Sequence, residues 1–331
     1  MMTKFPVINS TLSENALCDY LQQKYNLTSI TTCKLFRAAM NHIYVVTYGD
    51  IRYVFRVYTH NWRTKAEITE ELRLLNHLKD NHNAVAFPIP YNLNELIHEF
   101  EAPEGKRYGV LFSYAKGKKT ARFSAESSLF IGQTLAHIHK SAEHFTLNRI
   151  TYDTKTLLED PMLRIKAFFN TPSDEVKFLE SLSEFLKHTL TAVDDSQLRK
   201  GAVHLDVWFD NLHIGEQNEI TFFDFDFCGN GFLCFDVSYF LFQLLATNPD
   251  EKEYLVKAES FLNGYTKVSP ISEAERRLLP YACLSIMIYY ISIQCDRFVY
   301  WTNIFVNEDH LKRMVGNLKR WIKYNDIVCS C

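Results

Sequence analysis

Residues 201–229 read GAVHLDVWFDNLHIGEQNEITFFDFDFCG, and this stretch decides how the rest of the chain is read. Two apolar, strand-like pieces, 201–205 and 220–227, flank a polar segment holding Asp206, Asp210 and Asn211. In the second piece Asp224 and Asp226 alternate with Phe223, Phe225 and Phe227. Residues two apart in a strand share a face, so both carboxylates are expected to point the same way out of an apolar surround. Carboxylates so placed are costly unless a partner holds them. A divalent cation is such a partner.

Read as a pattern, the segment is His204-Leu-Asp206, then Asn211 five residues on, then Asp224-Phe-Asp226 thirteen residues later. The order and spacing match the catalytic loop and metal-binding motif of phosphoryl-transfer enzymes. HxDxxxxN followed by DFD resembles the aminoglycoside phosphotransferase and choline kinase-like superfamily. A eukaryotic protein kinase would instead carry HRD and DFG. The resemblance implies an α+β, bilobal protein-kinase-like fold, with an antiparallel sheet and helix in the N-lobe and a mostly helical C-lobe. It implies ATP and Mg²⁺ as cofactors, with Asp206 as the catalytic residue that accepts or orients the acceptor's hydroxyl proton. Asn211 and Asp224 would hold the metal. Asp226 would be a second metal ligand or a loop anchor. His204 would support the loop by hydrogen bonding, and Asp236 would play a structural part by capping a helix over 237–247.

The N-terminal third fits that frame. Thr11-Leu-Ser-Glu14 has capping-box form and starts a helix ending near Asn26. Strands follow at 29–36, 42–48 and 51–58, with Gly49-Asp50 as a tight turn. Arg56 stands among apolar neighbours in the third strand, where an arginine needs a carboxylate or a phosphate. Glu71 lies within the apolar stripe Ile68, Leu72, Leu75, Leu78 of the next helix, 63–80, and is paired with Arg56 on that ground. By resemblance Arg56 stands where protein kinases place the strand-three Lys that holds the α/β-phosphates, with Glu71 as its helix partner. The lid hairpin, Arg37-Ala-Ala-Met-Asn41-His-Ile-Tyr44, has no glycine, and Asn41 is its candidate phosphate contact. Strands at 91–98 and 107–114 surround the turn Pro103-Glu-Gly105, and the lobe connector is placed at Ser113–Ala115, whose main chain would meet the adenine edge. The domains divide as 1–113, nucleotide-binding, and 114–331, catalytic and acceptor-binding.

Beyond the connector, Ile131-Gly132-Gln-Thr-Leu135-Ala136-His-Ile138-His139 resembles the superfamily's LGxxLAxLH helix, with Gly132 and Ala136 allowing close packing under the catalytic loop. His139 reads as a core histidine rather than a base or metal ligand, because no other ligands are spaced to join it. Residues 150–200 read as helices broken at Asn170–Asp174, and Gly229-Asn-Gly231 as a mobile turn. Ser272 to Glu275 is a further capping box. In the aromatic helix 278–301, Tyr289, Tyr290, Asp296, Tyr300 and Trp301 read either as packing residues or, by resemblance to choline kinases, as a pocket for a cationic substrate.

A net charge of −3 and pI of about 6.5 give no sign of a nucleic-acid or membrane-surface partner. Eight scattered cysteines form no CxxC pair, and the chain opens on no secretory signal, which predicts a cytoplasmic protein with free thiols. Cys329-Ser-Cys331 reads as a frayed tail. The expected acceptor is a hydroxyl of a small molecule such as homoserine, choline, an amino sugar or an aminoglycoside, with Trp208 and Phe209 narrowing its site. The alternatives are a Ser/Thr protein kinase of the same fold, with a protein as acceptor, and a non-catalytic nucleotide-binding regulator. Loss of Asp206, Asn211 or Asp224 would favour the regulator, and none is lost.

Overall fold

The computed structural model describes every residue except 1, 2, 4, 28–31, 94, 172, 300–304, 330 and 331. Helix α1 (Glu14–Tyr25) is capped by Ser13, not Thr11, and ends at Asn26 in the left-handed conformation. Strands β1 (Thr32–Ala38), β2 (Asn41–Tyr48) and β3 (Ile51–Tyr58) then form an antiparallel meander. Gly49 takes a φ of +57° in the β2–β3 turn, which glycine accepts without strain. The first residues expected for β1, 29–31, lie outside the described residues. The sheet is completed by β4 (His98–Ala102) and β5 (Gly105–Ser113), in the order β1-β2-β3-β5-β4. The strand expected at 91–98 is therefore misplaced: β4 begins where that range ends. Its register is fixed by the Pro103–Glu104 turn back from β5, and Leu93 is fully exposed.

Strand alternation splits the sheet into two functional faces. Tyr44, Val46, Phe55, Val57 and Leu111 point to one side, where Leu17 and Leu21 of α1 cover them. Their neighbours Ile43, Val45, Val54, Arg56 and Phe112 point to the other side and line a cleft. Helix α2 (Lys65–Asp80) closes the back of that side. Thr64 caps it in a reciprocal box with Glu67, and Ile68, Leu72, Leu75 and Leu78 join the main core beside Val110 and Phe112.

The remainder is mostly helical. Helices α3 (Ala125–Ala142) and α7 (Glu251–Val268) pack very closely. A Cβ at Gly132 would run into the Phe261 carbonyl, and one at Gly264 into the Leu129 carbonyl. Gly132 thus serves the α3–α7 contact and not the expected packing under the catalytic loop. A π-helical turn at 155–159 leads into α4 (Asp160–Phe168), and α5 (Asp174–Thr191) follows. Two small antiparallel pairs carry the polar motifs: β6 (Lys200–Val203) with β9 (Gly229–Phe232), and β7 (Leu212–Ile214) with β8 (Ile220–Phe222). Gly229-Asn-Gly231 is therefore strand, not a mobile turn. A side chain at Gly229 would meet Ile150 and Tyr152, and the Asn230 amide is bound to both the N–H and the C=O of Leu147.

Helix α6 (Cys234–Thr247), α8 (Glu273–Asp296) and α9 (Glu308–Tyr324) fill the C-terminal core. Ser272 and Glu275 form the expected capping box. Helix α8 is long and apolar enough to cross a membrane, but 83% of its apolar window is buried within the fold. Tyr289 and Tyr290 belong to this core, packed on Tyr152, Phe227 and Tyr239, which makes them packing residues and not the walls of a cation pocket. Tyr300, Trp301 and Cys331 lie outside the described residues.

Candidate functional site

The loop after β6 is held in an unusual conformation by one buried carboxylate. Leu205 has a φ of +65°, which a branched residue adopts only under constraint. Asp236, in the first turn of α6, accepts hydrogen bonds from the main-chain N–H of His204 (2.8 Å) and of Leu205 (2.6 Å). It also accepts from His139 Nε2 (3.0 Å), whose Nδ1 lies 2.7 Å from the Tyr265 hydroxyl. Asp236 is therefore not the expected cap of its own helix; it clamps the loop. His139 is the satisfied core histidine expected. His204 makes the next tie: Nε2 donates to the Phe223 carbonyl at 3.0 Å, and Nδ1 accepts from the Asp206 N–H at 3.2 Å.

Asp206 emerges from this loop into the cleft. Its Oδ1 accepts from the Tyr239 hydroxyl (3.0 Å) and its Oδ2 from Asn211 Nδ2 (2.7 Å). Burial pushes its carboxyl up to about 6; the Asp224 charge adds to this, while His204, Tyr239 and Asn211 oppose it. Because Asn211 also donates its amide to the Asp206 carbonyl (3.0 Å), its own side-chain oxygen stays apart from that pair.

The second motif departs from a strand. Strand β8 ends at Phe222, Asp224 is left-handed with φ +64°, and 225–227 form a single 3₁₀ turn. Asp224 and Asp226 therefore do not share a face. Asp224 projects into the cleft with its side chain 38% exposed, and its Oδ1 lies 3.1 Å from Arg56 Nη2. Arg56 also meets Glu71 at 2.7 Å, the pair expected from the sequence. Tyr58 completes the group by donating to Glu71 (2.9 Å). Asp226 instead turns inward. Its Oδ2 accepts from Trp62 Nε1 (2.6 Å) and Asn41 Nδ2 (3.1 Å), and its Oδ1 from Arg63 Nε (3.0 Å). Burial works to raise its pKa, but Arg63, Arg56 and Arg149 outweigh it and hold the carboxyl down at about 2. Both oxygens are thus engaged by protein donors, which ties Asp226 to the lid and to the segment before α2 as a loop anchor would be.

The cleft between these groups has a volume of about 470 Å³. Asn41, Ser113, Ala115 and Trp208 all line it. Asn41 sits at the start of β2 with its amide on Asp226, so it ties the lid to the Asp226 turn. The Ser113 N–H and hydroxyl are both bonded to the Phe87 main chain, and the Ala115 carbonyl accepts from His213 Nδ1 at 2.9 Å. Across the mouth, Arg37 of the lid hairpin and Lys119 both pair with Asp210.

Residues 32–271 match the model of the phosphotransferase enzyme family, APH. The chain belongs to this family. Relatives agree along most of its length. An uncharacterized protein of Deinococcus radiodurans is 29% identical over 88% of this chain and 85% of its own. The homoserine kinase of Bradyrhizobium diazoefficiens is 23% identical over 90% of this chain and 88% of its own. Two solved structures share the fold: amicoumacin kinase hAmiN in complex with AMP-PNP, Ca²⁺ and Ami (TM-score 0.73, 18% identity, 93% of each chain), and the microcompartment-associated aminopropanol kinase (TM-score 0.72, 18% identity, 93% of this chain and 97% of that one). The protein is a phosphotransferase acting on a hydroxyl group, with a protein-kinase-like fold.

Several of the phosphotransferase's site residues lie outside the motifs read from its sequence. Tyr239 stands three residues after Asp236, on the same face of α6, and that spacing was a usable signal. Trp62, Arg63 and Arg149 gave none, because their shared partner Asp226 is far along the chain. Tyr58 stands two residues after Arg56 on the same strand face, and that spacing too was a usable signal.

Proposed function

We propose that this phosphotransferase moves the γ-phosphoryl group of ATP, with Mg²⁺, to the hydroxyl of a small molecule of the amino alcohol or amino sugar kind. One observation carries the reading: Asp206, braced by Tyr239 and Asn211, shares a single cleft with Arg56 and Asp224, and Glu71 holds Arg56 from behind. In this mechanism Asp206 takes the hydroxyl proton as the acceptor oxygen bonds to the γ-phosphorus and the bond to the β-phosphate oxygen breaks. A carboxyl raised toward 6 by burial holds that proton better than an ordinary aspartate. Arg56 orients the phosphates and is itself fixed by Glu71 and Tyr58. The main chain around Ser113–Ala115 receives the base.

The donors fit a hard cation that keeps most of its ligands from water and phosphate. Asp224 offers a cleft-facing carboxylate and Asn211 an amide oxygen, and no cluster of three or more His, Cys, Asp or Glu among the described residues could cage a metal alone. Asp224 and Asn211 would hold Mg²⁺, which when bound neutralises phosphate charge. Trp208 at the cleft wall, the volume of the cleft and the small-molecule acceptors in the names of relatives support a small acceptor.

The test is ADP release with Mg²⁺-ATP across homoserine, aminopropanol, choline, aminoglycosides and a generic protein. Strong stimulation by a small hydroxyl compound is expected. Stimulation by the protein alone would move the assignment to a protein kinase, and absence of nucleotide binding would refute the reading.

A further inference from the structure

The lid hairpin lacks glycine, and its geometry supplies a cation instead. Strand β1 pairs regularly with β2 except between Leu35↔Tyr44 and Arg37↔Ile43, where Phe36 is left without a partner. Such a bulge re-aims the side chains beside it. Phe36 and Arg37 consequently both line the cleft, although regular alternation would put neighbours on opposite faces. At the hairpin tip the Ala39 N–H donates to the Asn41 carbonyl (3.1 Å), so that amide is spent within the turn and cannot serve a phosphate.

Arg37 is also held lightly. Its side chain is 56% exposed, with Nη1 at 3.1 Å from Asp210 Oδ2. Asp210 directly precedes Asn211, and its other oxygen lies 2.5 Å from Lys119 Nζ. Among the described residues Asp210 thus has two cations where Arg37 has one anion, and withdrawing Arg37 leaves Asp210 paired. Exposed pairs of this kind contribute little to stability, and a guanidinium fork matches phosphate oxygens well.

We propose that Arg37 is a phosphate-binding residue, which exchanges Asp210 for the nucleotide's phosphate chain when the cleft fills. The inference rests on the nucleotide-binding reading above, and adenosine separates the two. Binding of Mg²⁺-ATP and of adenosine would be measured by titration calorimetry for the intact protein, Arg37→Gln and Arg37→Lys. Arg37→Gln is expected to weaken ATP about tenfold or more, the scale of a lost charge-assisted hydrogen bond. Adenosine affinity should stay unchanged, and Arg37→Lys should fall between the other two. Equal weakening of both ligands would mean that Arg37 only closes the lid, and would overturn the proposal. So would unchanged ATP affinity. An intact protein that binds neither ligand would remove the nucleotide reading and this inference with it.

Discussion

Replacing Asp236 tests whether the catalytic loop is held from beneath. Its carboxylate satisfies three donors: the amides of His204 and Leu205 at 2.8 and 2.6 Å, and His139 Nε2 at 3.0 Å. It is fully buried. Asp236→Ala orphans all three, and each buried unsatisfied donor costs about 1–3 kcal/mol, so the expected loss is at least ~3 kcal/mol. Leu205 then loses the acceptor that holds its amide in the left-handed conformation, and Asp206 shifts with it. A displacement of about 1 Å at a reacting group can cost on the order of a hundredfold in rate. Urea unfolding should therefore show a lower midpoint, and kcat should fall about a hundredfold while the Kd for ATP changes little. Asp236→Asn, which keeps one acceptor, should lie between. A stability change below ~0.5 kcal/mol for Asp236→Ala, or a full kcat, would refute the reasoning.

Two further outcomes follow from buried charge. Glu71→Leu removes one partner of a buried ion pair at 2.7 Å and should destabilise by about 3–5 kcal/mol, while Arg56→Met combined with it should recover part of that loss; a double-mutant cycle in urea measures both. His98 is buried with its ring nitrogens 3.0 Å from the hydroxyls of Tyr20 and Tyr25, and burial, with Lys24 nearby, lowers its pKa to about 4. Between pH 6.5 and 4 the unfolded chain binds a proton there that the folded chain does not. Stability is thus present in full above pH 6.5 and is lost as pH falls, on the order of 3 kcal/mol for this group. His98→Gln, which bonds the phenols without titrating, should flatten that slope in unfolding curves taken across the range.

The fold was legible wherever local signals agreed. Gly49-Asp50 between two alternating runs gave β2 and β3, and the apolar stripe of α2 with Glu71 inside it gave the Arg56 pair. The sequence misled where alternation had another cause. Phe223, Phe225 and Phe227 alternate with aspartates because a left-handed residue and a 3₁₀ turn send Asp224 out and Asp226 in, not because a strand continues. Asp236 reads as a cap from its place at the start of α6, but its acceptors serve the loop 31 and 32 residues upstream. Asp226 reads equally as a metal ligand or a loop anchor, because Asn41, Trp62 and Arg63, which hold it, come from segments about 160–185 residues away. Contacts at such separation leave no periodicity in a single sequence.

Asp206→Ala, assayed beside the intact protein for ADP release with Mg²⁺-ATP and the best acceptor, tests the central claim most directly. Turnover should fall by several orders of magnitude, with ATP affinity measured by calorimetry nearly unchanged, because Asp206 is bonded to Tyr239 and Asn211 and not to the Arg56 group. Turnover surviving within about tenfold, a barrier change of only ~1.4 kcal/mol, would contradict Asp206 as the residue that takes the acceptor's proton.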